Sequence, residues 1–150
     1  YSALEAVFFR WLYPNCRIIL LIRNPLHSYR SFKGNDWFVE WPYQVLTIDQ
    51  WVDHWNNMAN SWREFKDDYI LIKYEELISG NFNYRELESK LGLELNEEAA
   101  MTHNPRSTRN KRLSKREARF ILRRAGEMMR HYGYVDNSEP RASGLAPQHI

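Results

Sequence analysis

The sequence predicts an α/β fold in which short parallel strands are flanked by helices. Two observations carry the prediction. Residues 18–22 (IILLI) are a continuous run of β-branched residues and leucine, the pattern of a parallel strand covered on both faces, and residues 69–74 (YILIKY) read as a second buried strand. The runs are separated by helical stretches, which suggests a right-handed βαβ arrangement. Chain length agrees: 150 residues, 43% of them hydrophobic and 15% aromatic, make about one domain with a real core.

Taken in order, Ala3, Val7, Phe8, Trp11 and Leu12 recur at helical spacing, so residues 2–13 read as an amphipathic helix ended by Pro14-Asn15. The chain opens without Met and without a recognisable cap, and it is expected to be a piece of a longer protein. After the first strand, Asn24 and Pro25 form an N-cap and a first-turn proline, opening a helix over about 25–33. Residues 33–47 read as irregular, with Trp37, Phe38, Trp41 and Tyr43 filling the core beneath a loop or offering an acceptor-binding surface. Thr47 and Gln50 form a capping box before a helix to about residue 65 that carries Trp51, Trp55, Met58, Ala59 and Trp62 on one face.

Asp67-Asp68 breaks to the second strand, and a turn or short helix follows at 77–80. Residues 83–91 predict another helix stopped by Gly92, and residues 97–102 a short one. A second capping box, Ser114 with Glu117, starts a helix whose stripe runs through Ala118, Ile121, Leu122, Ala125, Met128, Met129 and Tyr132 to Gly133. Residues 135–150 lack periodicity and read as a disordered tail.

Charge is uneven. Residues 1–105 hold 10 Lys/Arg against 15 Asp/Glu, whereas residues 106–131 hold 10 against 2. The basic character is therefore local. It could bind nucleic acid or an acidic polymer through 106–131, or form a solvated helix face, since Arg116, Arg119, Arg123 and Arg130 fall opposite the apolar stripe.

Several chemistries are disfavoured. His27, His54, His103, His131 and His149 are too scattered for a local metal-ligand pair, and Cys16 is the single cysteine, so no metal is expected. G-x-S-x-G, P-loop and G-x-G-x-x-G patterns are missing. Asp67-Asp68 and Glu75-Glu76 are adjacent pairs whose side chains diverge, so neither makes an obvious acid/base couple. Apolar runs are too short to span a bilayer. A lone cysteine suits a reducing compartment such as the cytoplasm, with the location otherwise open.

What remains is "RIILLIRNPLHSYRSF", residues 17–32. Arg23 ends the strand at the carboxyl edge, where open α/β sheets bind ligands, and Ser31 lies two turns into the next helix. An arginine fork, a hydroxyl and a helix N-terminus together suit a phosphate or sulfate. Alternatively, Arg23 pairs with a carboxylate and Ser31 faces solvent.

This stretch, followed by "DDYILIKYEELI", "LGLELNEEA" and "LSKREARFILRRAGEMMRHYGY", resembles the C-terminal half of the PAPS-dependent sulfotransferases over residues 1–134. PAPS is 3′-phosphoadenosine-5′-phosphosulfate. The resemblance implies a partial P-loop-like sulfotransferase fold, with PAPS as nucleotide co-substrate and no metal. It implies that Arg23 and Ser31 hold the cofactor's 3′-phosphate and that Tyr74 contacts the adenine. Ser107, Arg109, Asn110 and Lys111 fall where the family closes a basic loop, so Arg109 or Lys111 would reach the same phosphate. The 5′-phosphosulfate loop and the catalytic base of the family would precede Tyr1, so no catalytic residue is assigned and this stretch alone is expected to be inactive. The acceptor, a carbohydrate or a small molecule bearing a hydroxyl or amine, is left open.

Overall fold

A computed structural model of the chain describes residues 2–34, 45, 47–65, 69–79, 82–96 and 112–135. Trp37, Phe38, Trp41, Tyr43, the Asp67-Asp68 break, the helix expected at 97–102, Arg109, Lys111 and the tail from residue 136 lie outside the described residues.

Helix α1 (Ala3–Leu12) does have a cap. The N–H and hydroxyl of Ser2 donate to the carboxylate of Glu5 at 2.5 and 2.6 Å, a Ser-x-x-Glu capping spacing. Its buried face also differs from expectation. Ala3 and Ala6 are buried, whereas Val7, Phe8, Trp11 and Leu12 are exposed, Trp11 by 74%. The two alanines let the α1 backbone approach α3 (Ile48–Glu64) closely enough for the Ala3 N–H to donate to Ser61 Oγ at 3.1 Å. Close fit of small side chains, not size of apolar residue, selects the packed face.

Strands β1 (Ile19–Ile22) and β2 (Ile70–Lys73) pair in parallel, from Ile19 opposite Ile70 to Ile22 opposite Lys73. Expected burial on both faces is corrected here. On β1, Leu20 and Ile22 point into the core, while Ile19 and Leu21 on the other face are exposed, Leu21 by 52%. On β2 the register puts buried Ile72 beside Leu21 and exposed Leu71 beside Leu20. Successive side chains alternate across a strand, and among the described residues the main core cluster takes the Leu20 and Ile22 side of β1.

Helix α2 (Pro25–Gly34) starts as expected, with Asn24 Oδ1 accepting from the Leu26 N–H at 2.9 Å and Pro25 fully buried. Its Tyr29 packs against Phe32 and Trp51, with ring centroids 5.8 and 5.1 Å apart. Helix α3 has the Thr47–Gln50 capping box and buries Trp51, Val52, Trp55, Ala59 and Trp62. Helix α4 (Tyr74–Ile78) begins directly at the end of β2, earlier than the turn or short helix expected at 77–80. Glu75 and Glu76 in its first turn favour that start through the helix dipole. Helix α5 (Tyr84–Leu91) is capped by Asn83 and closed by Gly92 in the left-handed conformation (φ 68°).

Helix α6 (Lys115–His131) opens on the Ser114–Glu117 capping box and buries Ile121, Ala125, Gly126, Met128 and Met129 against α3. Leu122 of the expected stripe is exposed. The Tyr132 hydroxyl donates to the Ala59 carbonyl at 2.8 Å, fastening the end of α6 to α3. Gly133 then turns the chain at φ 68°, and Tyr134 is delivered to the carboxyl edge of the sheet.

Candidate functional site

The strand register determines what meets at that edge. Because Ile22 pairs with Lys73, the next residue on each strand is Arg23 on one and Tyr74 on the other. The Arg23 guanidinium lies over the Tyr74 ring, 4.5 Å from its centroid. Such stacking holds a cation at a defined height above the ring. Nε of Arg23 is buried, with no hydrogen-bond partner among the described residues. A buried donor left unpaired costs about 1–3 kcal/mol, so this atom calls for an acceptor.

Around this pair lies a carboxylate that reaches three elements. Glu75 Oε1 accepts from the Asn24 N–H at 3.0 Å and stands 3.5 Å from His27 Nδ1. Glu75 Oε2 accepts from the Tyr134 hydroxyl at 3.3 Å. Burial, reinforced by the negative charge of Glu75, pushes the Tyr134 pKa well above the usual tyrosine value, so its hydroxyl stays a neutral donor. Lys73 Nζ approaches the same ring, 5.5 Å from the centroid, and stands 3.8 Å from Glu76.

Of the residues expected from the sequence, Arg23 and Tyr74 are brought together. Ser31 is partly buried on α2, and helical spacing puts it on the same helix face as Asn24 and His27. One expectation changes. The start of α2 was to face a ligand anion, but the Asn24 N–H is taken by Glu75 and the Leu26 N–H by the Asn24 side chain. Glu75, Asn24, His27 and Tyr134 were not read as site residues. Their contacts span 51 and 59 residues of sequence, so no local spacing signals them.

Of the cations on α6, Arg124 is paired across the fold, with Asp53 at 2.5 Å. The helix's own acids meet cations from other helices, Glu127 with Arg63 at 2.8 Å and Glu117 with Lys33 at 2.7 Å, so these pairs fasten α6 without reducing its basic character. Among the described residues, no group of three or more His, Cys, Asp or Glu side chains could hold a metal, and no helix is long and apolar enough to cross a membrane.

A parallel strand pair with an arginine at its carboxyl edge and a helix following the first strand puts a cation where open α/β sheets bind ligands. The chain belongs to the sulfotransferase family, whose model matches residues 3–97. The activity of that class is transfer of a sulfuryl group. The match contains β1, Arg23, Ser31, β2 and Tyr74, and α6 lies beyond it. Comparison with curated proteins and with solved structures returned no match.

Proposed function

We propose that this chain binds PAPS by its 3′-phosphate and serves sulfuryl transfer to an acceptor hydroxyl or amine. The observation that carries the reading is the buried Nε of Arg23 at the carboxyl edge, which has no partner among the described residues. The Arg23 fork would take two phosphate oxygens, and the Ser31 hydroxyl would donate a further hydrogen bond. The Tyr74 ring, which holds the guanidinium, would present its remaining surface to the adenine. Arg109 or Lys111 would add positive charge to the same phosphate. PAPS when bound supplies the activated sulfuryl group; the residues named here bind and orient it.

The test is calorimetric binding of 3′,5′-adenosine bisphosphate, with AMP as the ligand lacking the 3′-phosphate. Preference for the bisphosphate is expected, and Arg23→Ala should remove it. Each charge-assisted hydrogen bond lost is worth about 1.5–3 kcal/mol, so losing even one of the two made by the fork corresponds to a drop of roughly 10- to 150-fold. Equal affinity for the two nucleotides, or full preference in a folded Arg23→Ala protein, would refute the reading.

A further inference from the structure

We propose that Glu75 is the positioning residue of the Arg23 half-site, an inference that rests on the 3′-phosphate reading for its ligand but not for its geometry. Three facts point there. Glu75 accepts from the N–H of Asn24, the residue directly after Arg23, and so fixes the peptide plane through which Arg23 leaves β1. It follows Tyr74 immediately, so one two-residue unit carries both the ring beneath the guanidinium and the carboxylate that holds the guanidinium's backbone. Its second oxygen takes the Tyr134 hydroxyl, which ties the end of α6 to the same point.

The approach of α6 is closely fitted. Gly133 turns in the left-handed region, and a Cβ there would lie 3.2 Å from Lys73 Nζ. The chain from α6 thus passes the last residue of β2 at close range before Tyr134 meets Glu75. Strand exit, the start of α2, α4 and the end of α6 are joined at a single carboxylate. The same carboxylate occupies the Asn24 N–H, so an incoming phosphate would depend on Arg23 instead of that backbone donor.

Position and charge make opposite predictions. A negative Glu75 repels a phosphate, so if its charge were what mattered, Glu75→Gln and Glu75→Ala would alter binding alike. If it acts by position, Glu75→Gln should keep the site. Its amide oxygen can still accept from Asn24, and its amide nitrogen can donate to the Tyr134 oxygen.

The experiment measures the bisphosphate-over-AMP preference in wild type, Glu75→Gln, Glu75→Ala and Tyr134→Phe, each checked for fold by circular dichroism. Exchange of the Asn24 amide hydrogen is followed in the same proteins without ligand. Glu75→Ala is expected to lose about tenfold in preference, one hydrogen bond's equivalent, and to exchange the Asn24 amide faster. Glu75→Gln should match or exceed wild type, and Tyr134→Phe should fall between. Unchanged preference in folded Glu75→Ala, or equal damage from the Gln and Ala variants, would overturn the assignment. Should wild type itself show no preference, the 3′-phosphate reading fails, and the Asn24 amide then decides the positioning role alone: faster exchange in Glu75→Ala upholds it, equal exchange overturns it.

Discussion

Replacing Tyr132 with Phe removes one oxygen atom from the buried contact between α6 and α3, and two separate consequences can be calculated. The hydroxyl donates to the Ala59 carbonyl at 2.8 Å. Ala59 lies inside α3, so its carbonyl is also an acceptor in the helix's own bonding pattern and is not left empty by the change. The cost at neutral pH should therefore be that of one net hydrogen bond, about 1 kcal/mol, and not the full penalty of an orphaned group. The second consequence is a titration. Burial first, and then Tyr69 nearby, push the Tyr132 pKa up to about 12 from the usual 10, with Arg63 opposing. The folded state thus holds this proton more tightly than the unfolded chain. Its contribution is complete below pH 10 and is lost as pH rises through 12, a total of about 3 kcal/mol. Tyr29 and Tyr134 are raised as well, so wild type weakens in alkali for more than one reason, and the difference between wild type and variant isolates Tyr132. Urea denaturation between pH 7 and pH 11.5 measures that difference. Wild type should lead by about 1 kcal/mol at pH 7, and the lead should close near pH 11 and then reverse. A gap that stays constant with pH would refute the reasoning, because it would mean that the hydroxyl titrates as freely in the folded protein as in the unfolded chain.

Two further outcomes test the ends of α6. Gly133→Ala places a side chain at φ 68° and 3.2 Å from Lys73 Nζ; the lysine tip can move, so the backbone term dominates and stability should fall by about 1–2 kcal/mol in thermal denaturation. An unchanged melting temperature would mean that the left-handed turn is not required. The Glu117 carboxyl is held below its usual range first by Lys33 and then by the Ser114 N–H, so its contribution is present above pH 4.5 and is lost as pH falls through the folded-state value. Glu117→Gln, which preserves the capping box, should cost about 1 kcal/mol or less at pH 7, and its difference from wild type should shrink in acid denaturation once the pH falls below 4.5. A difference independent of pH would exclude the ion pair as its source.

The local grammar of this chain is legible because each signal acts within a few residues. Asn24-Pro25, Thr47 with Gln50 and Ser114 with Glu117 open their helices where expected, since a cap answers to the backbone N–H groups two or three positions on. The strands announce themselves as β-branched runs, and Arg23 stands out because a cation directly after such a run has no structural need to be there. Only the tertiary structure decides which faces are used. The large apolar residues of α1 point outward because Ala3 and Ala6 make the closer fit to α3, and β1 is covered on one face although its composition suits two. The same holds for the surroundings of Arg23. Glu75 reads in the sequence as one half of an unremarkable acidic pair. The parallel register brings it to Asn24 and the turn at Gly133 brings Tyr134 to it, contacts between residues 51 and 59 positions apart. Periodicity encodes neighbours within an element; pairs between elements depend on how the elements pack.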